Sequence, residues 1–312
     1  MTKKILVTGG AGYIGSVLIP MLLEKNYEVT VVDNLLYHQS SLALSIHNPK
    51  LHLVFGDVRN LELIHPLVKK SDVVIPLAAI VGAPACDKDP VMASSINKES
   101  TLQLFKLLGK QQQIIMPTTN SAYGSGDENN LCDENSPLKP LSLYAKDKVT
   151  IEGELMGHNK ATSFRLATVF GISPRMRLDL LVNNFVNRAL KDRFIVLFEG
   201  HFKRNYVHIR DVCKAFIFAI ENESKVSGEI FNFGLSNANI SKNDLCMLIK
   251  QQLPDFVFFE SKINKDPDQR NYIVSNAKVE SIGMKAEISL ENGITELIKG
   301  LKMFDQHEFG NI

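Results

Sequence analysis

The chain has 312 residues, of which 45% are hydrophobic, and its formal net charge is +1 at pH 7. This length accommodates two domains or one large α/β unit, and the near-neutral charge gives no sign of a nucleic-acid-binding surface. The longest apolar region, residues 73–85, is interrupted by two prolines and a glycine and is too short to cross a membrane. We therefore expect a cytoplasmic protein without nucleic-acid or membrane partners.

The cysteines have neither CxxC nor metal-ligand spacing. We expect them to be buried or incidental thiols in a reducing compartment, and we expect no metal site. They are Cys86, Cys132, Cys213 and Cys246.

Residues 3–33 have the order strand, glycine-rich turn, helix and strand. The turn follows a short apolar run and contains Gly9, Gly12 and Gly15, and a helix is expected from Ser16 onward. Free N–H groups at the start of a helix favour a pyrophosphate, and glycines let the backbone approach it closely. This spacing predicts a dinucleotide-binding site.

The second apolar strand, residues 28–32, delivers Asp33 about 20 residues beyond the glycines, where a carboxylate can bond a ribose diol. The charge of Asp33 would repel a 2′-phosphate, and the next residues are Asn34 and Leu35 rather than arginine. The sequence therefore predicts NAD rather than NADP as the cofactor.

Two further strand ends are expected to line the cofactor crevice. The strand at 51–55 ends at Asp57 and Val58, which are placed to contact the adenine, although Asp57 suits a helix N-cap or a turn equally well. The strand at 72–77 runs into the small residues 78–82, which would let a cofactor lie flat against the backbone.

Strands alternate with helices through residue 166, including a long helix at 91–108 and a strand at 113–116. This pattern predicts a doubly wound parallel sheet. We expect residues 1–170 to form the dinucleotide-binding domain, with return segments near 206–234. Residues 171–312 would be mainly a smaller substrate-binding domain, with a frayed tail after Lys302.

The candidate catalytic groups follow the fifth strand. Tyr144 and Lys148 are four residues apart in a predicted helix and share one face, where an ammonium would lower the pKa of the phenol. Tyr144 would take a hydroxyl proton as hydride leaves to NAD, Lys148 would hold the nicotinamide ribose, and Thr119 would bond the reacting oxygen. A plain solvated helix face is the alternative for the Tyr–Lys pair alone.

Five segments together resemble the extended short-chain dehydrogenases/reductases that act on nucleotide sugars: residues 9–15, 33–35, 56–58, 119–124 and 144–148. Residues 204–212 and 232–234 are similar to C-terminal landmarks of that family. The resemblance implies a Rossmann fold, NAD, a nucleotide-sugar substrate and a homo-oligomer, a dimer or higher. The cofactor-binding residues so identified are Gly9, Gly12, Tyr13, Ile14, Asp33, Asn34, Asp57, Val58, Leu77, Ala78, Ala79 and Lys148.

For the substrate, the resemblance implies that Arg204 and Arg270 grip the diphosphate, as the planar guanidinium suits phosphate oxygens. Arg175 and Arg177 are candidate contacts at the mouth of the crevice, although a surface role fits them as well. Asn120 and Ser121 are also candidate substrate-binding residues, and they stand where the 4,6-dehydratases of the family have Asp and Glu. Because neither side chain carries a proton as a carboxyl does, water elimination is disfavoured.

Within the family, residues 76–84, 118–121 and 164–181 are most similar to bacterial GDP-heptose C4 dehydrogenases of capsular polysaccharide synthesis. This resemblance implies oxidation of GDP-D-glycero-α-D-manno-heptose to its 4-keto form. A 4-epimerase acting on a UDP- or GDP-sugar is the alternative, although Pro76 and Val81 depart from the pattern of some epimerases. A 4,6-dehydratase and a non-catalytic NAD-sensing protein are the remaining alternatives.

Overall fold

The computed structural model describes residues 2–124, 131–261 and 270–304, so residues 305–312 of the predicted frayed tail lie outside it. Fourteen strands are assigned in this part of the chain. They are β1 (Lys4–Thr8), β2 (Glu28–Asp33), β3 (Leu51–Phe55), β4 (Val73–Pro76), β5 (Gln113–Thr119), β6 (Leu131–Cys132), β7 (Ala161–Leu166), β8 (Thr168–Phe170), β9 (Phe194–Phe198), β10 (Lys203–His208), β11 (Glu229–Phe233), β12 (Asn239–Ser241), β13 (Val257–Ser261) and β14 (Ile273–Val274).

The helices of the described residues flank these strands. They are α1 (Gly15–Glu24), α2 (Leu61–Lys70), α3 (Ala83–Lys88), α4 (Pro90–Ser94), α5 (Ser100–Leu107), α6 (Leu143–Leu155), α7 (Leu181–Lys191), α8 (Ile209–Glu221), α9 (Glu223–Val226), α10 (Lys242–Gln252), α11 (Ala277–Ser281) and α12 (Leu290–Leu301). A π-helical turn, Ser95–Glu99, joins α4 to α5, and 3-10 turns form at Ala43–Ser45 and Asn120–Tyr123.

Seven strands form a central parallel sheet in the order β11-β7-β5-β4-β1-β2-β3. The chain runs outward from β1 to β3 on one side and from β4 on the other, so the strand order reverses between β1 and β4. In such sheets ligands bind at this switch point, beyond the carboxyl ends of the strands. The predicted doubly wound parallel sheet is confirmed, and the glycine turn leaves β1 at this crevice.

Apolar layers cover both faces of the sheet. One cluster contains Leu18 and Leu22 of α1 with Phe216 of α8, all fully buried against strand residues. The second contains Ile64 of α2 and Ile151 of α6. Burial on both faces explains why strands such as β1 are continuously apolar rather than alternating.

The predicted helix at 91–108 is interrupted by the π-helical turn Ser95–Glu99. Asn97 in this turn accepts a hydrogen bond from the backbone N of Ile80 and donates one to the carbonyl O of Ile80, both at 2.8 Å. A π-helical turn contains one residue more than an α-helical turn. Such turns are frequent near functional sites. The strand predicted at 113–116 also continues further, to Thr119.

The smaller sheets all involve the C-terminal half. Strands β8, β10 and β12 form one sheet, β9 pairs with β13, and β6 pairs with β14. Of the two predicted return segments, β11 joins the central sheet beside β7, whereas β10 pairs with β8 and β12 outside it. The domain boundary at residue 170 stays a prediction.

Candidate functional site

The glycine turn is tightly packed on its inner side and open on its outer side. Gly9 has φ +68°, and a Cβ there would lie 2.5 Å from the backbone N of Ala78. A Cβ at Gly15 would overlap the carbonyl O of Gly10, whereas a Cβ at Gly12 would meet only the Gly9 carbonyl O at 3.1 Å. The turn therefore has the form of a cradle that accepts a phosphate group at the start of α1.

Asp33 is held in place by the turn itself. Its Oδ2 atom accepts a hydrogen bond from the backbone N of Ala11 at 2.9 Å, and its Oδ1 atom accepts one from Leu35 N at 2.8 Å. Burial raises the pKa of the Asp33 carboxyl, against the two backbone donors, which lower it. The side chain of Asn34, in contrast, accepts from Leu36 N at 3.1 Å and so shapes its own loop.

Asp57 and Val58 lie at the carboxyl end of β3, on the side predicted for adenine. Arg59 donates to both carboxylate oxygens of Asp57, at 2.9 and 2.6 Å, and this pairing lowers the pKa of Asp57. Val58 packs between two apolar clusters. The Asp57 carboxylate is thus paired with Arg59, which agrees with the alternative that Asp57 stabilises a turn rather than binds adenine. Val58 lies next to the small-residue segment 78–82.

Tyr13 and Ile14 occupy the turn, but their side chains face inward. The Tyr13 hydroxyl donates to the carbonyl O of Gly171 at 2.7 Å and accepts from Nδ2 of Asn183 at 3.1 Å. Ile14 packs against the main apolar cluster. Any contact of these two residues with a phosphate in the cradle would therefore be made by their backbone N–H groups.

The segment after β4 forms the opposite wall of the crevice. Leu77 N donates to the carbonyl O of Thr8 at 2.9 Å, which ties the end of β4 to β1. Ala78 lies against Gly9, and a Cβ at Gly9 would overlap the backbone N of Ala78. The two hydrogen bonds between Asn97 and the backbone of Ile80 hold the small-residue segment, which includes Ala79, in place. Asn97 was not identified from the sequence; its only signal is a polar residue in the interior of a predicted amphipathic helix.

Tyr144 and Lys148 lie one turn apart on α6, as predicted. The Nζ atom of Lys148 lies 5.8 Å from the centroid of the Tyr144 ring. Burial raises the pKa of the Tyr144 phenol to about 12, and Arg177 and Arg270 lower it. Burial lowers the pKa of the Lys148 ammonium to about 8, with Asp147 raising it.

These pKa values differ from the expectation that Lys148 lowers the pKa of Tyr144. The predicted residues are brought together, but burial outweighs the charges around the phenol in this structure. The cations that lower the Tyr144 pKa are two arginines distant in sequence, which spacing within one helix cannot reveal.

Thr119 ends β5 and begins the 3-10 turn that carries Asn120 and Ser121. The Thr119 hydroxyl accepts from Ser121 N at 3.1 Å and donates to Ser121 Oγ at 3.0 Å. Arg270 also donates to Ser121 Oγ, and Arg204 donates to the carbonyl O of Arg270. The predicted substrate residues Ser121, Arg270 and Arg204 therefore form a chain of hydrogen bonds that reaches the predicted catalytic Thr119 through Ser121.

Asn120 is fully buried in the same turn, with 0% of its surface exposed. Neither Oδ1 nor Nδ2 of its side chain has a hydrogen-bond partner among the described residues. A buried amide without a hydrogen-bond partner is costly, and a group that both donates and accepts would satisfy it.

Arg175 and Arg177 lie in the loop that follows β8, but they face different groups. Arg175 stacks on Tyr37, with its Cζ atom 4.4 Å from the ring centroid. Arg177 pairs with Asp179 and lies beside Gly82 and close enough to lower the pKa of Tyr144. Of the two, Arg177 is the one near Tyr144, and Arg175 is not grouped with Ser121, Arg204 and Arg270.

A buried ion pair between Glu152 and Arg165 contacts Thr118, just before the 3-10 turn Asn120–Tyr123, and Tyr123 at the end of that turn. Glu152 of α6 accepts from Arg165 NH2 at 2.7 Å, from Ser163 Oγ at 2.7 Å and from Thr118 Oγ1 at 3.0 Å. Arg165 also donates to the Tyr123 hydroxyl at 2.9 Å. Sequence reasoning missed this network, although Arg165 stands out as a charged residue inside an apolar strand.

Residues 2–124, 131–261 and 270–304 contain neither a metal-binding cluster nor a membrane-spanning helix. Within these ranges there is no group of three His, Cys, Asp or Glu side chains suited to a metal ion. The helices in the same ranges also include none long and apolar enough to cross a membrane.

Comparison with known proteins gives one family over most of the chain. The profile of the NAD dependent epimerase/dehydratase family matches residues 5–234. A "Putative UDP-glucose 4-epimerase" of Methanocaldococcus jannaschii is 29% identical over 96% of this chain and 98% of its own length. A UDP-N-acetyl-alpha-D-glucosaminuronate decarboxylase of Bacillus cytotoxicus is 27% identical, with coverages of 96% and 98%.

Solved structures share the fold along nearly the whole chain. UDP-glucuronic acid 4-epimerase from Bacillus cereus, in complex with UDP-glucuronic acid and NAD, superposes with a TM-score of 0.84 at 23% identity. It covers 96% of this chain and 99% of its own. UDP-glucose 4-epimerase from Thermotoga maritima, with UDP-glucose, superposes with a TM-score of 0.80 at 26% identity and the same coverages.

Proposed function

The chain belongs to the NAD dependent epimerase/dehydratase family and is an NAD-dependent enzyme, and from this premise we propose that it oxidises C4 of a nucleotide sugar. The observation that carries the proposal is the pairing of Tyr144 with Lys148 on α6, where Lys148 Nζ lies 5.8 Å from the centroid of the Tyr144 ring. Thr119 ends β5 of the same parallel sheet in which the glycine turn follows β1, and parallel strands end on one side. A phenol, an ammonium and a hydroxyl next to a dinucleotide cradle suit proton removal from an alcohol.

In this proposal Tyr144 accepts the proton of the C4 hydroxyl, and Thr119 holds the C4 oxygen in line. Arg177 and Arg270 lower the pKa of Tyr144 and so favour its ionised form. Lys148 binds the nicotinamide ribose and orients the cofactor. NAD, when bound, supplies the chemistry of hydride acceptance.

The substrate diphosphate is assigned to Arg204 and Arg270, because Arg270 reaches Ser121 in the catalytic turn and Arg204 supports the backbone of Arg270. A guanidinium binds phosphate oxygens through paired donors. This arrangement would place the sugar between the diphosphate-binding arginines and Thr119.

For the substrate itself we propose GDP-D-glycero-α-D-manno-heptose, converted to its 4-keto form for bacterial surface polysaccharide synthesis. The support is the similarity of residues 76–84, 118–121 and 164–181 to GDP-heptose C4 dehydrogenases. Water elimination is disfavoured, because Asn120 and Ser121 offer no carboxyl group and Ser121 is engaged by Thr119 and Arg270.

A 4-epimerase is the second candidate, and the whole-length similarity to the Methanocaldococcus jannaschii protein favours it. Both candidates share the oxidation step. They differ in whether the 4-ketone is released or receives the hydride back on its opposite face.

The discriminating experiment incubates the protein with NAD and, separately, GDP-heptose, GDP-mannose, UDP-glucose and UDP-glucuronic acid. Absorbance at the NADH band follows hydride transfer, and NMR identifies the sugar product. A 4-ketosugar with stoichiometric NADH supports the dehydrogenase, and an epimer without net NADH supports the epimerase. No change in any sugar would refute C4 oxidation for these substrates.

We further propose that the protein acts in the cytoplasm as a homodimer or larger homo-oligomer. Helices α5 and α6 carry apolar residues on more than one face, and Leu102, Phe105 and Val149 stay partly exposed although Leu102 and Phe105 pack against the core. Small-angle scattering gives the mass in solution, and a monomeric mass at micromolar concentration would refute the oligomer.

A further inference from the structure

An arginine from the C-terminal half stacks on an aromatic ring beside the glycine turn. The Cζ atom of Arg175 lies 4.4 Å from the centroid of the Tyr37 ring, and Arg175 is only 4% exposed. We propose that Arg175 binds the pyrophosphate of NAD and that Tyr37 positions the Arg175 guanidinium. The pyrophosphate would then lie between Arg175 and the glycine turn.

The loop that carries Arg175 is anchored on the glycine turn. The backbone N of Arg175 donates to Ser173 Oγ at 3.3 Å, and Ser173 Oγ donates to the carbonyl O of Tyr13 at 2.8 Å. Ser173 Oγ also lies 2.8 Å from Ser16 Oγ in the first turn of α1. These contacts place the backbone of Arg175 next to the start of the helix that receives the phosphate.

The loop that carries Tyr37 is anchored on the same turn at both ends. Asp33 accepts a hydrogen bond from Ala11 N at 2.9 Å, and Ser41 donates one to the carbonyl O of Ala11 at 2.7 Å. Tyr37 lies between these two anchors in the chain. The contact between Arg175 and Tyr37 therefore joins two loops that are both attached to the glycine turn.

The charge balance of the cradle favours an added cation. Residues 5–24 contain no Lys, Arg or His, so the turn and helix α1 offer only backbone N–H groups and the helix dipole. The dipole is equivalent to roughly half an elementary charge at the helix N-terminus. A pyrophosphate carries a negative charge on each phosphate group, which leaves charge for a guanidinium to neutralise.

The geometry of the stack suits this role. The Arg175 guanidinium lies over the Tyr37 ring, and its Nη1 atom donates to the carbonyl O of Met176, which fixes its orientation. A guanidinium carries five N–H donors, so it can bond phosphate oxygens in addition to this contact. Burial lowers the pKa of the Arg175 guanidinium. An anion bound beside it would offset the cost of holding this charge away from water.

This inference moves Arg175 from the substrate, where the sequence placed it, to the cofactor. Ser121, Arg204 and Arg270 are linked to one another by hydrogen bonds, whereas Arg175 is linked to the loop after Asp33. It concerns NAD binding alone and does not depend on which sugar the enzyme oxidises.

The test is calorimetric titration of nucleotide-free protein with NAD, ADP-ribose and adenosine. It is complemented by titration of NAD-saturated protein with GDP and UDP. The variants are Arg175→Gln, Tyr37→Leu and Tyr37→Phe, and the control is Arg188→Gln, a surface arginine of α7 paired with Asp192. Circular dichroism and thermal unfolding show whether each variant is folded.

We expect Arg175→Gln to weaken NAD and ADP-ribose by a similar factor, roughly ten- to a hundredfold, from the loss of charged hydrogen bonds. Adenosine, which lacks the pyrophosphate, and the nucleoside diphosphates should bind as to the wild type. Tyr37→Leu should weaken NAD by about three- to tenfold, and Tyr37→Phe should restore the affinity because it keeps the ring.

Unchanged NAD affinity in Arg175→Gln would overturn the proposal. So would weaker binding of GDP or UDP with NAD unaffected, because this result would assign the arginine to the sugar nucleotide. Equal weakening of adenosine and NAD would indicate general distortion of the site and would also overturn it. If Arg175→Gln does not fold, the comparison of Tyr37→Leu with Tyr37→Phe decides, and equal affinities of these two variants would refute the role of the ring.

Discussion

The ammonium nitrogen of Lys148 lies over the face of the Tyr144 ring, 5.8 Å from its centroid. A cation in this position is attracted by the ring quadrupole. Burial disfavours the charged form of both side chains. The pKa of Tyr144 is raised to about 12 and that of Lys148 is lowered to about 8. Tyr144 is therefore a neutral phenol at pH 7, and its ionisation depends on the arginines near it.

The first prediction concerns the base. Tyr144→Phe removes the phenol oxygen and leaves the ring against Lys148, so turnover should fall by at least about a thousandfold, while NAD binds with nearly unchanged affinity. Hydride transfer is measured as NADH formation from the active nucleotide sugar, and NAD affinity by titration. Undiminished turnover in this variant would refute the role of Tyr144.

The second prediction concerns the pH dependence of the reaction. Arg177 is the largest of the charges that lower the pKa of Tyr144, so Arg177→Gln should raise that pKa. The base is active when ionised, and the rising limb of the pH–rate profile should consequently move to higher pH in the variant. Arg188→Gln, on the surface of α7, is the control. A limb that stays in place would show that Arg177 does not act on Tyr144.

The sequence predicts those parts of the site that depend on residues close together in the chain. The glycine turn, Asp33 and the spacing of Tyr144 and Lys148 are local patterns, and local patterns follow from backbone geometry. The strand order placed Thr119 at the same sheet edge, because parallel strands end on one side. The fold class and the NAD cofactor were therefore predicted correctly.

Other features depend on contacts between distant segments. The stacking of Arg175 on Tyr37 and the ion pair of Glu152 with Arg165 join residues that no periodicity links. The π-helical turn Ser95–Glu99 also depends on a contact between separate segments, because Asn97 in this turn bonds the backbone of Ile80. The apolar pattern of residues 91–108 predicts only a regular helix. The pKa of Tyr144 was predicted in the wrong direction because the extent of burial cannot be known from the sequence.

The third prediction concerns stability. The pKa of Lys148 falls from 10.5 to about 8 on burial, so the folded protein binds fewer protons than the unfolded chain between these pH values. Stability contributed by this site therefore rises as pH increases from about 8 to 10.5. Below pH 8 the charged lysine destabilises the fold, by roughly 3 kcal/mol at 1.36 kcal/mol per pKa unit.

Lys148→Met should accordingly be more stable than the wild type at pH 7 and inactive. The difference in free energy of unfolding should shrink as pH rises toward 10.5. Urea unfolding of both proteins without nucleotide, at pH 7 and pH 10, measures this difference. Lys146→Met, an exposed neighbour on α6, is the matched control and should show no such dependence. A variant less stable than the wild type at pH 7 would contradict the prediction.

The last prediction concerns Asn120, whose buried amide has no hydrogen-bond partner among the described residues. Asn120→Leu replaces the amide with an apolar group of similar size and removes the cost of an unsatisfied polar group, about 1–3 kcal/mol. The variant should therefore unfold at a higher urea concentration. If Asn120 binds the substrate, as the resemblance to the family implies, the same change should raise KM for the nucleotide sugar about tenfold and leave NAD affinity unchanged. Steady-state kinetics with NAD saturating gives KM, and unfolding without ligands gives stability. Higher stability with unchanged KM would show that Asn120 does not contact the sugar, because the amide would then be dispensable for binding.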